Sequence, residues 1–291
     1  MQKIFQFKLF RKFFGLAMIY NSKLRFHFVF ILFATNLICG VLTSYRVVMS
    51  DSYMHFLSKE LVSAYQHSIN QTNNMTNRTP GKKLFPITKE NTKLRWKTIE
   101  GEEYLLMVNV FENAAKYESG RQVKLDQGDV WVTAFPELYD FCMGYIEKHS
   151  QANMSDVGLR IHQLLGLPAD KVGYTLVELW VKPSDLFRPC PNPDITREEC
   201  DDDFPEETTE EHATWMKQLQ AVNNENALKN EEYGGLPWTR LGYTYDWSPE
   251  SEDNIGLSEY VVRKGSKVYV QNVHTINAYC QGVCDLEEIS T

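Results

Sequence analysis

The 291-residue sequence predicts an α+β domain with a mostly antiparallel sheet and a few packed helices, preceded by an N-terminal transmembrane or signal helix. Three observations carry that expectation. The chain is 43% hydrophobic and 23% charged, which places it among globular proteins and excludes a mainly disordered, collagen-like or coiled-coil one. Short alternating apolar segments, separated by turn residues, recur between 93 and 273 and are broken by stretches of helical periodicity. An uncharged run, FVFILFATNLICGVLTSY, occupies 28–45.

That run would be about 27 Å long as a helix, close to the roughly 30 Å hydrocarbon core of a bilayer. Residues 1–46 hold seven basic side chains and no acidic one. The positive-inside rule therefore puts the first residues in the cytoplasm and everything beyond 46 outside. A retained single-pass anchor and a cleaved signal with a long basic leader both fit. The expected organisation is a basic cytoplasmic segment (1–27), the anchor or signal core (28–45), a stalk or linker (46–92) and an exported α+β domain (93–291). The stalk contains SINQTNNMTNRTPGKK, too polar to offset its ordering entropy by burial. N-x-[ST] sequons begin at Asn70, Asn74, Asn77 and Asn153. Apolar residues at roughly helical spacing over 51–67 predict a short amphipathic helix just outside the membrane.

Within the domain, TKLRWKTI and YLLMVNVF flank Glu100-Gly101 and predict a hairpin over 93–111. Val123–Leu125, the turn 126–129 and a strand over 130–135 follow. Pro136 suits a helix start, and PELYDFCMGYIEKH continues it. A second helix over 155–165 is capped by Ser155 and ended by Gly166 and Pro168. VGYTLVELWVK (172–182) predicts a strand. The T-x-x-E pattern at Thr208–Glu211 predicts a capping box for a helix running to about Asn230, before Gly234-Gly235. Strands are expected at 236–247, 255–263 and, after the Lys264-Gly265 turn, 267–273; a short terminal helix would hold Cys280.

Export makes disulfides permissible. Cys190 and Cys200 bracket a Pro-rich loop with little apolar periodicity and are natural partners; closing so short a loop is worth about 2–3 kcal/mol. Cys142 has Cys280 or Cys284 as its partner. Cysteine and histidine spacings match no zinc site, so no metal and no cofactor are expected. Beyond residue 46 the chain carries 23 Lys and Arg against 38 Asp and Glu, which excludes phosphate-driven nucleic-acid binding. The acidic run Glu198–Glu211, with Asp201-Asp202-Asp203, lacks the spacing of a calcium loop and reads as a solvated loop.

The most unusual segment is LPWTRLGYTYDW (236–247). As a strand it would align Tyr243, Tyr245 and Trp247 on one face, either as a core stripe or, with Trp238, as a stacking platform for a glycan or nucleotide. Asp246, Arg188 and Arg240 are the polar candidates beside it. Glu259 falls on the apolar face of LSEYVV and Glu178 on that of LVELWV; such carboxylates signal a misread register, a paired structural charge or a catalytic acid. No nucleophile-elbow, P-loop, dinucleotide-fold or zincin motif is present.

LLGLPADKVGYTLVELWVKPSDLFRPCPNPDI, WVTAFPELYDFC, PWTRLGYTYDW and GLSEYVV resemble a group of uncharacterised exported bacterial proteins over roughly 129–280, including Cys142, Cys190, Cys200 and Cys280. The resemblance implies an exported bacterial domain, inner-membrane-anchored or periplasmic, and no activity. A fainter similarity to ADP-ribosyl-transferring and NAD-cleaving toxin domains places Arg188, Tyr243 and Glu259 in the order Arg, aromatic strand, late Glu, without their Ser-Thr-Ser element. The leading expectation is a binding or structural role toward a glycan or envelope component. The alternative is an enzyme or secreted effector using Glu259 or Asp246 with Arg188 and Arg240.

Overall fold

The computed structural model describes residues 59–74, 83–111, 114–149, 154–169, 175–229 and 233–280. The predicted basic segment and the anchor or signal helix at 28–45 lie outside them. Among the described residues no helix is long and apolar enough to cross a membrane.

The folded unit begins at Glu60, inside the tract that reads as a stalk. Helix α1 (59–73) turns Tyr65, Ser68, Ile69 and Thr72 inward, and Tyr65 and Ile69 pack with Tyr245 and Trp247. Its polarity misleads because the buried hydroxyls are satisfied locally: Ser68 Oγ donates to the Tyr65 carbonyl at 2.6 Å and Thr72 Oγ1 to the Ser68 carbonyl at 3.1 Å. Burying a hydroxyl is costly only when it lacks a partner.

The Glu100-Gly101 turn, with φ of 52° and 82°, joins β1 (Trp96–Ile99) to β2 (Glu102–Phe111) as expected for a two-residue hairpin loop. Then come β3 (Gln122–Lys124), β4 (Val130–Ala134), α2 (Phe135–Lys148) and α3 (Met154–Leu164). Helix α3 already includes Met154, so Ser155 lies within it and is not its cap. It ends where the sequence indicates: Gly166 adopts φ 67°, and the Leu167 amide reaches back to the His162 carbonyl at 2.8 Å. Strands β5 (Thr175–Val181) and β6 (Leu186–Phe187) lead to α4 (Glu210–Leu228). The cap of α4 is Thr209, which accepts from the His212 amide. Thr208 instead donates to the Pro191 carbonyl at 3.0 Å, so the T-x-x-E match forms no capping box.

The expected strand 236–247 shrinks to β7 (Tyr243–Tyr245), because Arg240 and Gly242 both turn the chain with positive φ. The expected strand 255–263 is two, β8 (Ile255–Ser258) and β9 (Tyr260–Val262), divided at Glu259. Strand β10 (Lys267–Thr275) and helix α5 (Ile276–Cys280) complete the described chain.

The main sheet runs β3-β10-β5-β2-β4-β9-β6, with β1 also on β2, and all its pairs are antiparallel; β7 and β8 form a separate two-stranded sheet. Both faces of the central strands are covered. Leu105, Met107, Val177, Leu179, Tyr260 and Val262 pack on one side. Leu106, Val108, Leu176 and Trp180 pack with α2, α3 and α5 on the other. Continuous apolar runs such as YLLMV and LWV follow from that two-sided burial.

Two disulfides are present among the described residues. Cys142–Cys280 ties α2 to α5 across 138 residues, and Cys190–Cys200 closes the Pro-rich loop across ten. In the chain-entropy picture loops of those lengths correspond to about 5 and about 3 kcal/mol. Cys142→Ser should therefore lower the thermal midpoint of the oxidised protein more than Cys190→Ser, and reductant should lower that of the wild type; a melting curve indifferent to both substitutions and to reductant would count against the bridges.

Candidate functional site

Strands β2 and β4 share only two pairs, Met107 with Ala134 and Val108 with Thr133. Beyond them β2 continues beside β5 to Phe111, while β4 continues beside β9 back to Val130. The sheet parts between the two strands. A cavity of about 380 Å³ lies along the parting, lined by residues 108–111 of β2 and by Asp129 with residues 130–133 of β4. Its other walls are Leu219 and Asn223 of α4, the segment 236–238, the 165–167 turn after α3, β7 and Glu259.

Each wall is held by a local device. Asn223 fastens Leu236 with a pair of hydrogen bonds, donating to its carbonyl at 2.8 Å and accepting from its amide at 2.7 Å. Thr244 Oγ1 donates to the Leu164 carbonyl at 2.6 Å and accepts from the Leu257 amide at 2.9 Å. Gly256 permits that junction, since a Cβ there would lie 2.1 Å from Thr244 Oγ1. Across the parting, Asn109 Nδ2 donates to the Trp131 carbonyl, a backbone group on the strand from which β2 has separated.

The surroundings are aromatic. Trp131 and Trp238 meet edge to face at 5.9 Å between ring centroids, and Trp215 packs against both at 6.3 and 6.4 Å. Phe111 and Tyr245 add two more rings to the lining. Four lining residues each carry a buried polar atom with no hydrogen-bond partner: Asn109 Oδ1, Thr133 Oγ1, Trp238 Nε1 and Glu259 Oε2. An unsatisfied buried group costs about 1–3 kcal/mol. Four on one cavity is a concentration that calls for a reason.

Glu259 sits where the chain leaves the β7–β8 sheet and joins the main one, its amide donating to the Gly242 carbonyl at 2.9 Å instead of to a ladder partner. Burial pushes its carboxyl up to about 8. Asp129, the other carboxylate on the cavity, is occupied: Oδ2 accepts from Trp215 Nε1 and Oδ1 from the Lys264 amide, both at 2.8 Å. Among the described residues the lining contains no Lys, Arg or His.

Comparison with known families, curated proteins and solved structures finds no match for this chain.

The other residues singled out in the sequence are distributed differently. Trp238 and Tyr245 line the cavity. Tyr243 is buried with Leu84 and the Cys190–Cys200 bridge, and Trp247 lies under α1 with Tyr65, so neither forms a stacking face. Arg188 is wholly buried and donates to the carbonyls of Phe85, Ile195 and Arg197 at 3.1–3.3 Å, organising the Pro-rich loop. Arg240 donates to the Thr72 carbonyl at 2.8 Å, holding α1. Asp246 takes a two-pronged ion pair from Arg160, at 3.0 and 2.6 Å. Glu178 is buried beside Asn272, whose Nδ2 donates to it at 3.0 Å. Arg188, Arg240 and Asp246 thus do not gather around Glu259 as substrate clamps; each is consumed by the packing of a loop or helix. Asn109, Trp131 and Thr133 were not singled out by sequence reasoning. The available signal was a polar residue within an otherwise apolar strand, VNV and VTA.

Because the folded Glu259 keeps its proton to about 8 while an unfolded carboxyl releases it near its ordinary value, this group's effect is to lower stability as pH rises through that window. The loss is complete above about 8. Subtracting the pH–midpoint curve of Glu259→Gln from that of the wild type should leave a decline between about pH 5 and pH 9, with the variant the more stable at pH 9. Parallel curves would show that Glu259 ionises in the ordinary range.

Proposed function

We propose that this chain is an exported bacterial binding protein, anchored by or released from its N-terminal apolar segment, whose folded domain holds a small neutral glycan unit in the cavity between β2 and β4. The observation that carries the reading is the set of four partnerless polar atoms, one each on Asn109, Thr133, Trp238 and Glu259, on a cavity walled by tryptophans. They comprise an acceptor, a donor and two groups able to act as either once Glu259 is protonated. Sugar hydroxyls supply both kinds of partner, and aromatic walls suit the apolar face of a pyranose ring. The volume is at the small end of the roughly 300–1,000 Å³ used by small-molecule sites, matching one or two rings.

The enzyme alternative of the NAD-cleaving type has less support. It needs cationic clamps for a diphosphate, and among the described residues no basic side chain lines the cavity. The two disulfides are compatible with an oxidising compartment, which favours the exported reading over a cytoplasmic one.

Calorimetric titration of the protein with neutral monosaccharides and disaccharides, N-acetylated hexosamines included, should give saturable binding that quenches or shifts tryptophan fluorescence. Trp238→Ala should weaken it at least ten-fold. Absence of binding across the panel would overturn the glycan assignment. A reporter active only outside the cytoplasm, fused to the C-terminus, should be active in bacteria; a cytosolic C-terminus would overturn the export reading.

A further inference from the structure

We propose that Glu259 acts as an uncharged hydrogen-bonding carboxylic acid that makes the cavity select neutral polyhydroxylated ligands and reject anionic ones, such as uronic acids and sugar phosphates, of the same size. The inference rests on the glycan reading and names what sets its selectivity.

The geometry that supports it is the isolation of this one carboxyl. The other buried charged groups singled out above have partners: Asp246 has Arg160, Glu178 has Asn272, and Arg188 has three carbonyls. Glu259 Oε2 is buried with none, in a lining whose described residues include no basic side chain. A buried carboxylate left unpaired is too costly to keep, so the group retains its proton instead. As an acid it both donates and accepts. An anionic ligand would bring a second negative charge into a cavity that already carries Asp129 and, among the described residues, offers no cation.

The charged and titratable groups on the elements packed around Glu259 are accounted for. On β4, Asp129 is held by Trp215 Nε1 and the Lys264 amide. On β7, Tyr243 and Tyr245 are both held neutral by burial. On α2, Glu137 Oε1 accepts from Ser258 Oγ at 3.1 Å. Arg240 is turned to the Thr72 carbonyl, and Arg188 lies over the Tyr260 ring at 4.7 Å while donating to carbonyls. Burial alone drives the displacement of Glu259.

The test titrates full-length protein with a neutral hexose, the corresponding uronic acid and the corresponding hexose phosphate. At pH 7 the neutral sugar should bind at least ten-fold more tightly than either anion. Its affinity should fall about ten-fold from pH 7 to pH 9, as one required proton with a midpoint near 8 is lost. Glu259→Gln should bind the neutral sugar equally at pH 7 and pH 9. Equal affinity for neutral and anionic sugars, or the same pH profile in Glu259→Gln, would overturn the proposal while leaving glycan binding intact. If none of the three sugars binds at any pH, the glycan reading itself fails and the selectivity with it. A ligand-free titration of tryptophan fluorescence isolates the state of the acid: an inflection near pH 8 that Glu259→Gln removes supports an uncharged Glu259, and its absence overturns it.

Discussion

Strand β4 pairs with β2 at Ala134 and Thr133 and with β9 from Val132 back to Val130. Strand β9 arrives from the small β7–β8 sheet, crosses at Glu259, and then pairs with β4 from Val132 back to Val130, while β2 remains tied to β5 as far as Phe111. The two halves of the main sheet are therefore pulled apart after two shared pairs. Parting a sheet leaves backbone groups without ladder partners, and such groups need another partner. The Asn109 side chain provides one by donating to the Trp131 carbonyl. The wedge that remains is not closed by side chains of β2 and β4 alone. It is walled instead by α4, the 236–238 segment and the turn after α3.

Elsewhere the interior treats polar groups differently. Arg188 is enclosed by the loop that Cys190–Cys200 closes, and Gly242 lets it lie there, since a Cβ at that position would sit 2.8 Å from Arg188 Cδ. Asp246 and Arg160 neutralise one another with both side chains nearly excluded from water, so removing either would leave an uncompensated charge. These groups fasten α1, α3 and the Pro-rich loop to the sheet. On the cavity, Asn109 Oδ1, Thr133 Oγ1, Trp238 Nε1 and Glu259 Oε2 have no partner in the protein, although Asn109 Nδ2 is bonded to the Trp131 carbonyl. Asp246 and Glu178 are paired, and Arg188 donates to three carbonyls through one terminal nitrogen while its other has no partner, whereas at the cavity four such partnerless atoms come together.

Much of the architecture was legible because it depends on short-range chemistry. The Glu100-Gly101 turn, the Gly166 helix end, the Lys264-Gly265 turn and the strong strand at 175–181 all follow from residues within a few positions of one another. The misreadings have the complementary cause. The stalk was too polar to look buried because Ser68 and Thr72 satisfy themselves on their own helix. The strand 255–263 looked continuous because alternation cannot register a change of sheet at Glu259. Tyr243, Tyr245 and Trp247 shared a face on paper but divide between a loop core, the cavity and the underside of α1.

By itself the sequence determined the α+β class, the antiparallel pairing of its hairpins, most helix ends and the Cys190–Cys200 pairing, since each is set by periodicity, turn chemistry or loop closure over about a dozen residues. Only the tertiary structure decided that Cys142 pairs with Cys280, that Arg188 and Asp246 serve packing, and that Glu259 is the carboxyl left unpaired beside Asn109 and Thr133. Partnership in a core is a property of the distance between side chains, and residues 109, 133, 238 and 259 are brought to one cavity by strand pairing that no local pattern encodes.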